Sequence, residues 1–376
     1  MANDSIFRRT LRNTFSLSGL AGLPKNLSTA RRFLASVDWK AAQAEIATDL
    51  QRKVAIIGLA NCGKSTLFNT LSGKYLSLVS ATAGSTTSLV RGTVGPFVLI
   101  DTPGHMPDMQ LEAVNEAALV VYMLDASAGL RAQDAQMIAQ LRAAEKPLIV
   151  VLNKADLLGN QADEAAATAA ARLGVPDIIP ISARKGDNIA DELLPAMITA
   201  SPAVALVMGR QLPAFRRTAA NRIVRNATLI GLAAGLEPIP LVDIPILLGN
   251  QIRMVLRIAT VYGEPLTANH ARELAATVAG GLAFRYLAEQ VSKLVPVGGD
   301  FIAGAVAAGG TWSLGQVAIE YFESGKRLSG RQMRSRFQGY VRQFREQRLD
   351  RDLAKESTGK IPPLDEDDPG TLDASS

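Results

Sequence analysis

The stretch Gly58-Leu59-Ala60-Asn61-Cys62-Gly63-Lys64-Ser65 decides how this chain folds. It follows an apolar run, Val54-Ala55-Ile56-Ile57, that reads as a buried strand, and it leads into a helical pattern, Thr66-Leu67-Phe68-Asn69-Thr70-Leu71. A G-x-x-x-x-G-K-[ST] segment between a strand and a helix is the setting of a phosphate-binding loop. Its glycines, Gly58 and Gly63, let backbone N–H groups turn inward as an anion nest at the positive end of a helix dipole. Lys64 would reach the β- and γ-phosphates and the Ser65 hydroxyl would hold Mg²⁺, with Cys62 and Thr66 beside them. The expected fold is therefore an α/β, P-loop NTPase domain.

Three further polar segments stand at the ends of apolar runs. Asp101-Thr102-Pro103-Gly104 follows Phe97–Ile100. A carboxylate there can hold Mg²⁺ through water, and the Gly104 N–H can approach a γ-phosphate. Asn153-Lys154-Ala155-Asp156 follows Leu148–Leu152. Asp156 can accept both the N1–H and the exocyclic amine of guanine, a pair of donors that adenine lacks. A site built on paired polar groups rejects the wrong base strongly, because its carboxylate would otherwise be left unpaired. Ser182-Ala183-Arg184 follows Ile178–Ile181 and would present backbone to guanine O6. Each tetrapeptide alone is weak; four in this order and spacing predict a small-GTPase domain with a mostly parallel sheet that binds GTP and GDP.

These residues resemble the Era-like branch of bacterial GTPases, the TrmE–Era–EngA group, over about residues 52–200. Gly58-x-x-Asn61-x-Gly63-Lys64-Ser65-Thr66-Leu67-Phe68-Asn69 is similar to that group's loop and first helix, and Pro180–Asn188 to its guanine-contacting end segment. The resemblance implies that Ala83-Gly84-Ser85-Thr86 is the first switch, with Thr86 closing over Mg²⁺ and the γ-phosphate and Thr87 as the alternative. The group's Arg-Asp after this segment is replaced by Thr87-Ser88. It also implies that Asn61 ligates K⁺ where other GTPases receive an arginine finger; the other reading of Asn61 is a loop hydrogen bond. His105 stands where many GTPases carry the water-orienting side chain, against a solvent-facing role. Lys64, Thr86 and His105 are thus the expected catalytic set. The second histidine, His270, lies in a helical stretch without a motif and is read as structural.

At 376 residues the chain has room for more than one domain. Residues 1–50 read as a basic segment and a lead-in helix with Phe33, Leu34, Val37, Ala41, Ala44 and Ile46 at helical spacing. Residues 51–200 form the GTPase domain. Beyond about Ser201 strand signals vanish, and helix-breaking clusters divide 215–325 into an all-α bundle of four or five helices. Residues 326–349 read as a basic amphipathic helix, and 350–376 as an acidic, solvated tail. The net charge of +5 conceals this segregation. Cys62 is the only cysteine, which excludes an internal disulfide and fits a reducing cytosol. Beside phosphates its thiol could be acidified by Lys64 and the helix N-terminus, or it could be a tolerated small loop residue. No secretory signal is visible.

The segment about 215–325, through Ile239–Pro245, Gln251–Gly263 and Leu294–Gly299, resembles a helical domain of unassigned function attached to Era-like GTPases and found in YcjF-type membrane proteins. That implies a bacterial protein on the cytoplasmic face of a membrane. Ala227–Gly249 is long enough to span but holds Glu237, Asp243 and three prolines; Gly298–Ile319 is the better spanning candidate. The glycines of the latter suit a soluble bundle or an oligomer interface equally well. Lys326–Arg348 could bind anionic lipid, bind RNA, or simply pack with its charged face in water. Three roles follow: a switch at a membrane surface, a factor acting on RNA or ribosome, and a nucleotide-dependent homo-oligomeric scaffold.

Overall fold

A computed structural model describes residues 39–74, 90–100, 114, 116–234, 243–265 and 300–358. Two compact units are present: Ala44–Arg222 with Val261–Gly263, and Met1–Gln43 with Ile223–Thr260 and Glu264–Ser376.

The first unit is built on a six-stranded sheet ordered β2-β3-β1-β4-β5-β6. Its strands are β1 (Lys53–Gly58), β2 (Val90–Val94), β3 (Phe97–Ile100), β4 (Ala117–Asp125), β5 (Leu148–Asn153) and β6 (Ile179–Ile181). All pairings are parallel except β2 with β3. The long apolar runs of β1 and β4 follow from this, since a central parallel strand is covered on both faces. Pro180 is tolerated because β6 lies at the sheet edge. The helices are α1 (Trp39–Leu50), which the division between units crosses after Gln43, α2 (Lys64–Lys74), α3 (Ala132–Ala143), α4 (Ala162–Leu173), α5 (Leu194–Ala200) and α6 (Pro202–Gln211). One face of the sheet packs Ile57, Tyr122, Leu124, Val150 and Leu152 against Ile138 and Leu141 of α3 and Ala166 and Ala170 of α4. Gly58 pairs with Met123, Asp125 with Asn153 and Asn153 with Ile181, so the carboxyl ends of four strands stand level. β1 has β3 on one side and β4 on the other, and the chain crosses over there; in open α/β sheets ligands bind at this switch point.

The lead-in helix is corrected in its face. In α1 the buried residues are Trp39, Ala42 and Ile46, whereas Ala41 and Ala44 are exposed. Alanine is apolar enough to enter a sequence pattern yet carries too little side chain to fix which face turns inward. Phe33, Leu34 and Val37 lie outside the described residues.

The second region is helical, as expected: α7 (Arg216–Ala234), α8 (Asp243–Val261), α9 (Asp300–Glu323) and α10 (Gly330–Thr358). The division between units falls inside α7. Within the second unit, small residues on α9 admit close neighbours. A Cβ on Gly315 would stand 2.4 Å from Val224, and one on Gly309 would stand 2.9 Å from the Phe344 ring. Trp312 meets Tyr340 edge-on and Phe344 at a tilt, both with ring centroids 5.6 Å apart. Buried polar groups are tied down: Asn250 Nδ2 donates to Ala227 O at 2.7 Å and Gln251 Nε2 to Thr311 Oγ1 at 3.1 Å. Of the candidate span Ala227–Gly249, α7 is described to Ala234 and α8 from Asp243, and residues 235–242 lie outside the described residues. Among the described residues no helix is long and apolar enough to cross a membrane.

Candidate nucleotide-binding site

The loop after β1 has the backbone that its glycines predict. Gly58 and Gly63 have φ of 152° and 97°. A Cβ on Gly63 would stand 2.1 Å from Asn153 Nδ2, and one on Gly58 would stand 2.5 Å from Met123 O. Glycine is required at both by space as well as by dihedral angle. Asn61 is left-handed too, with φ 64°, a conformation that asparagine tolerates better than most residues. Its side chain is exposed and makes no hydrogen bond among the described residues. Lys64 is buried and donates to Gly58 O at 2.8 Å and Leu59 O at 3.0 Å, which folds its ammonium back over the loop. Ser65 and Thr66, in the first turn of α2, are exposed.

Asn153 joins the motifs. Its Nδ2 donates to Cys62 O at 2.7 Å and its Oδ1 accepts the Ala183 N–H at 2.8 Å, so one buried amide spans the loops after β1 and β6 from the end of β5. Cys62 therefore serves through its carbonyl. Burial pushes its thiol pKa up despite Lys64, which removes the expectation of an acidified, redox-reactive thiol.

The loops after β5 and β6 are equally connected. Hydrogen bonding from Ser182, with Lys185 alongside, holds the Asp156 carboxyl below the usual carboxylate range. Lys185 Nζ lies 3.6 Å from Asp156 Oδ2. Of the three backbone donors in Ser182-Ala183-Arg184, Ser182 N–H is taken by Asp187 O and Ala183 N–H by Asn153. The Arg184 N–H has no hydrogen bond among the described residues. Lys154, left-handed at φ 64°, donates to Asp125 Oδ2 at 2.6 Å.

Two participants escaped sequence reading. Asp125 ends β4 and accepts from Lys154 and from both the N–H and hydroxyl of Ser127. Burial raises its pKa, but those hydrogen bonds outweigh it and hold the carboxyl low. The signal was Asp125-Ala-Ser127 closing an apolar run, the same placement as the other motifs. Thr70, one turn before the end of α2, donates to Ala183 O at 2.7 Å. Nothing in its helical context marked it. Thr86, Asp101, Gly104 and His105 lie outside the described residues.

The donor set fits a nucleotide: a loop closed to any Cβ, a buried ammonium above it, an exposed hydroxyl at the helix start, and an ionised carboxylate across the sheet end. Comparison with known proteins agrees. Residues 53–154 match the family described as 50S ribosome-binding GTPase, and residues 204–348 match a domain of unknown function (DUF697). GTPase Der of Desulforudis audaxviator (strain MP104C) is 34% identical over 207 residues, 51% of this chain and 46% of that protein. GTPase Era of Ruminiclostridium cellulolyticum is 34% identical over 151 residues, 36% of this chain and 51% of that protein. The chain spans about half the length of the curated relatives it matches. A solved structure of a probable GTP-binding protein engB is 24% identical, covers 39% of this chain and 97% of its own, and has a TM-score of 0.29. Residues 53–154 thus carry a P-loop GTPase domain, joined in the same chain to a domain of unknown function over 204–348.

Proposed function

We propose that this chain binds GTP at the sheet end and hydrolyses it to GDP and phosphate, acting as a switch whose output is the helical region. The observation that carries this reading is Asn153, which ties Cys62 O of the phosphate loop to Ala183 N of the base loop. That bridge makes one site of motifs 91 and 30 residues apart in sequence.

In this reading Lys64 leaves its two loop carbonyls for the β- and γ-phosphates. Asp156 accepts the guanine N1–H and amine, and the Arg184 N–H faces O6. Ser65 holds Mg²⁺ together with Thr86 and Asp101, and the ion neutralises charge on the phosphate oxygens. Gly104 N–H meets the γ-phosphate, and His105 orients the attacking water. Asn61 holds K⁺, which could recover part of the about 10³–10⁵-fold that an arginine finger contributes. Switch loops ordered by the γ-phosphate and released on hydrolysis supply the two states. Each finer role has its own readout. Turnover should fall when Na⁺ replaces K⁺, and equal rates would end the Asn61 assignment. His105→Ala should lower kcat while leaving GTP affinity in place; an unchanged kcat would remove the histidine from the chemistry.

Base selection tests the reading as a whole. Labelled GDP bound to the full chain should be displaced by GTP and not by ATP. Asp156→Asn, which reverses acceptor to donor, should shift preference toward XTP. ATP competing as well as GTP, or unaltered selectivity in the variant, would overturn it.

A further inference from the structure

We propose that the outward face of α10 is a docking surface for the phosphate backbone of a nucleic acid. The sequence of this helix is compatible with two very different partners, a bilayer that takes up its apolar stripe or a polyanion that meets its arginines. The apolar stripe is already occupied. Met333, Phe337 and Phe344 are buried. Phe344 sits over Gly309, and Trp312 of α9 packs on both Tyr340 and Phe344. A peripheral amphipathic helix binds lipid by burying its apolar face in the headgroup boundary, and α10 has spent that face inside its own unit.

What remains outside is cationic and selective in its pairing. Lys326 pairs with Glu264 at 2.8 Å and Arg336 with Glu320 at 3.4 Å. Arg327, Arg331 and Arg334 are exposed and have neither ion pair nor hydrogen bond among the described residues. Arg342 makes only a long bond from Nε to Gln338 O, 3.4 Å. At 3.6 residues per turn, Arg331, Arg334 and Arg342 fall within an arc of about 80° and along about 16 Å of the axis. Of the other exposed positions on this side, Gln332, Ser335 and Gln343 are neutral hydrogen-bonding side chains, and Glu346, toward the carboxyl end beside Arg342, is a carboxylate. Three guanidinium groups in a row without an ion pair among the described residues, flanked mainly by neutral polar groups, complement a line of phosphates. Arginine suits that target because its planar fork meets a phosphate with two parallel hydrogen bonds. Such contacts carry no base information, so the expected binding is independent of sequence and sensitive to salt. This inference stands on α10 alone and is independent of the GTPase reading.

The test uses the full chain, a labelled unstructured 20-nucleotide RNA and a DNA duplex as probes, and co-sedimentation with phosphatidylcholine vesicles containing phosphatidylglycerol. The wild type should bind both nucleic acids, with affinity falling steeply as salt rises. R331Q/R334Q/R342Q should weaken that binding by at least about tenfold and reduce the slope of log affinity against log salt by about two for the RNA and about three for the duplex. Its melting temperature and GDP affinity should not change, since these side chains hold nothing inside the protein. R331K/R334K/R342K, which keeps the charge, should retain most of the binding. Nucleic-acid affinity that is absent in the wild type, or equal in the glutamine variant, would overturn the proposal. So would vesicle binding that the glutamine variant loses while nucleic-acid binding survives.

Discussion

Thr70 Oγ1 donates to Ala183 O at 2.7 Å, although 113 residues separate them in sequence. The same helix, α2, starts at Lys64 under the phosphate loop and ends with Lys74 donating to Lys185 O at 3.2 Å. It therefore fastens the Ser182–Lys185 loop at two points. The carbonyl held by Thr70 belongs to the residue whose N–H is held by Asn153.

Removing the first of these bonds should loosen the base loop without unfolding the domain. A neutral hydrogen bond contributes about 0.5–1.5 kcal/mol net, equivalent to about 2- to 12-fold in affinity. Thr70→Val should weaken GDP and GTP by that factor alike, and Thr70→Ser should restore both. Equilibrium titration with labelled GDP and GTP checks this. Unchanged affinity in the valine variant would deny Thr70 a positioning role.

Asp125 supplies a pH prediction. Lys154 and Ser127 hold its folded-state pKa below the unfolded value. Its stabilisation is therefore present above the unfolded carboxylate range, about 3.9, and disappears as pH falls through the folded value. In urea denaturation, the stability gap between wild type and Asp125→Asn should stay constant from pH 7 to about 5 and shrink below about 4. A gap that closes between pH 7 and 5 would show that the carboxylate is not held low.

Packing in the helical unit can be tested by contrast between two glycines. A Cβ at Gly315 would collide with Val224, while one at Gly339 in α10 meets nothing within 4 Å. Gly315→Val should destabilise by roughly 1–3 kcal/mol or more through overpacking. Gly339→Ala should stabilise by roughly 0.5–1 kcal/mol through helix propensity. Thermal melts of the two variants decide it; equal melting temperatures would contradict the close approach of α9 to Val224.

Much of the fold was legible because each motif sits at the carboxyl end of an apolar run, and parallel pairing brings such ends level. Lys64, Asn153, Asp156 and Ser182 were found in that way. What stayed hidden depends on contact across the fold. Asn153 was read as one letter of a base-binding tetrapeptide, yet its amide is the bridge between the loops after β1 and β6. Thr70 sits in a helix whose residues carry no periodic mark of what lies opposite. For Lys326–Arg348 the pattern marked Met333, Phe337 and Phe344 as apolar, and these are buried in α10, which starts at Gly330. It could not say that the apolar side was already covered by Trp312 and Gly309.

The most direct test of the central claim is phosphate release by the full chain with GTP or ATP, run beside Lys64→Ala. Lysine bonds to phosphate are charge-assisted, at about 1.5–3 kcal/mol each, so losing two should weaken GTP by about 10²–10⁴-fold. The wild type should release phosphate from GTP and not from ATP, and Lys64→Ala should release none at the same GTP concentration. Equal release from both nucleotides, or a rate unaffected by Lys64→Ala, would contradict the assignment of this site.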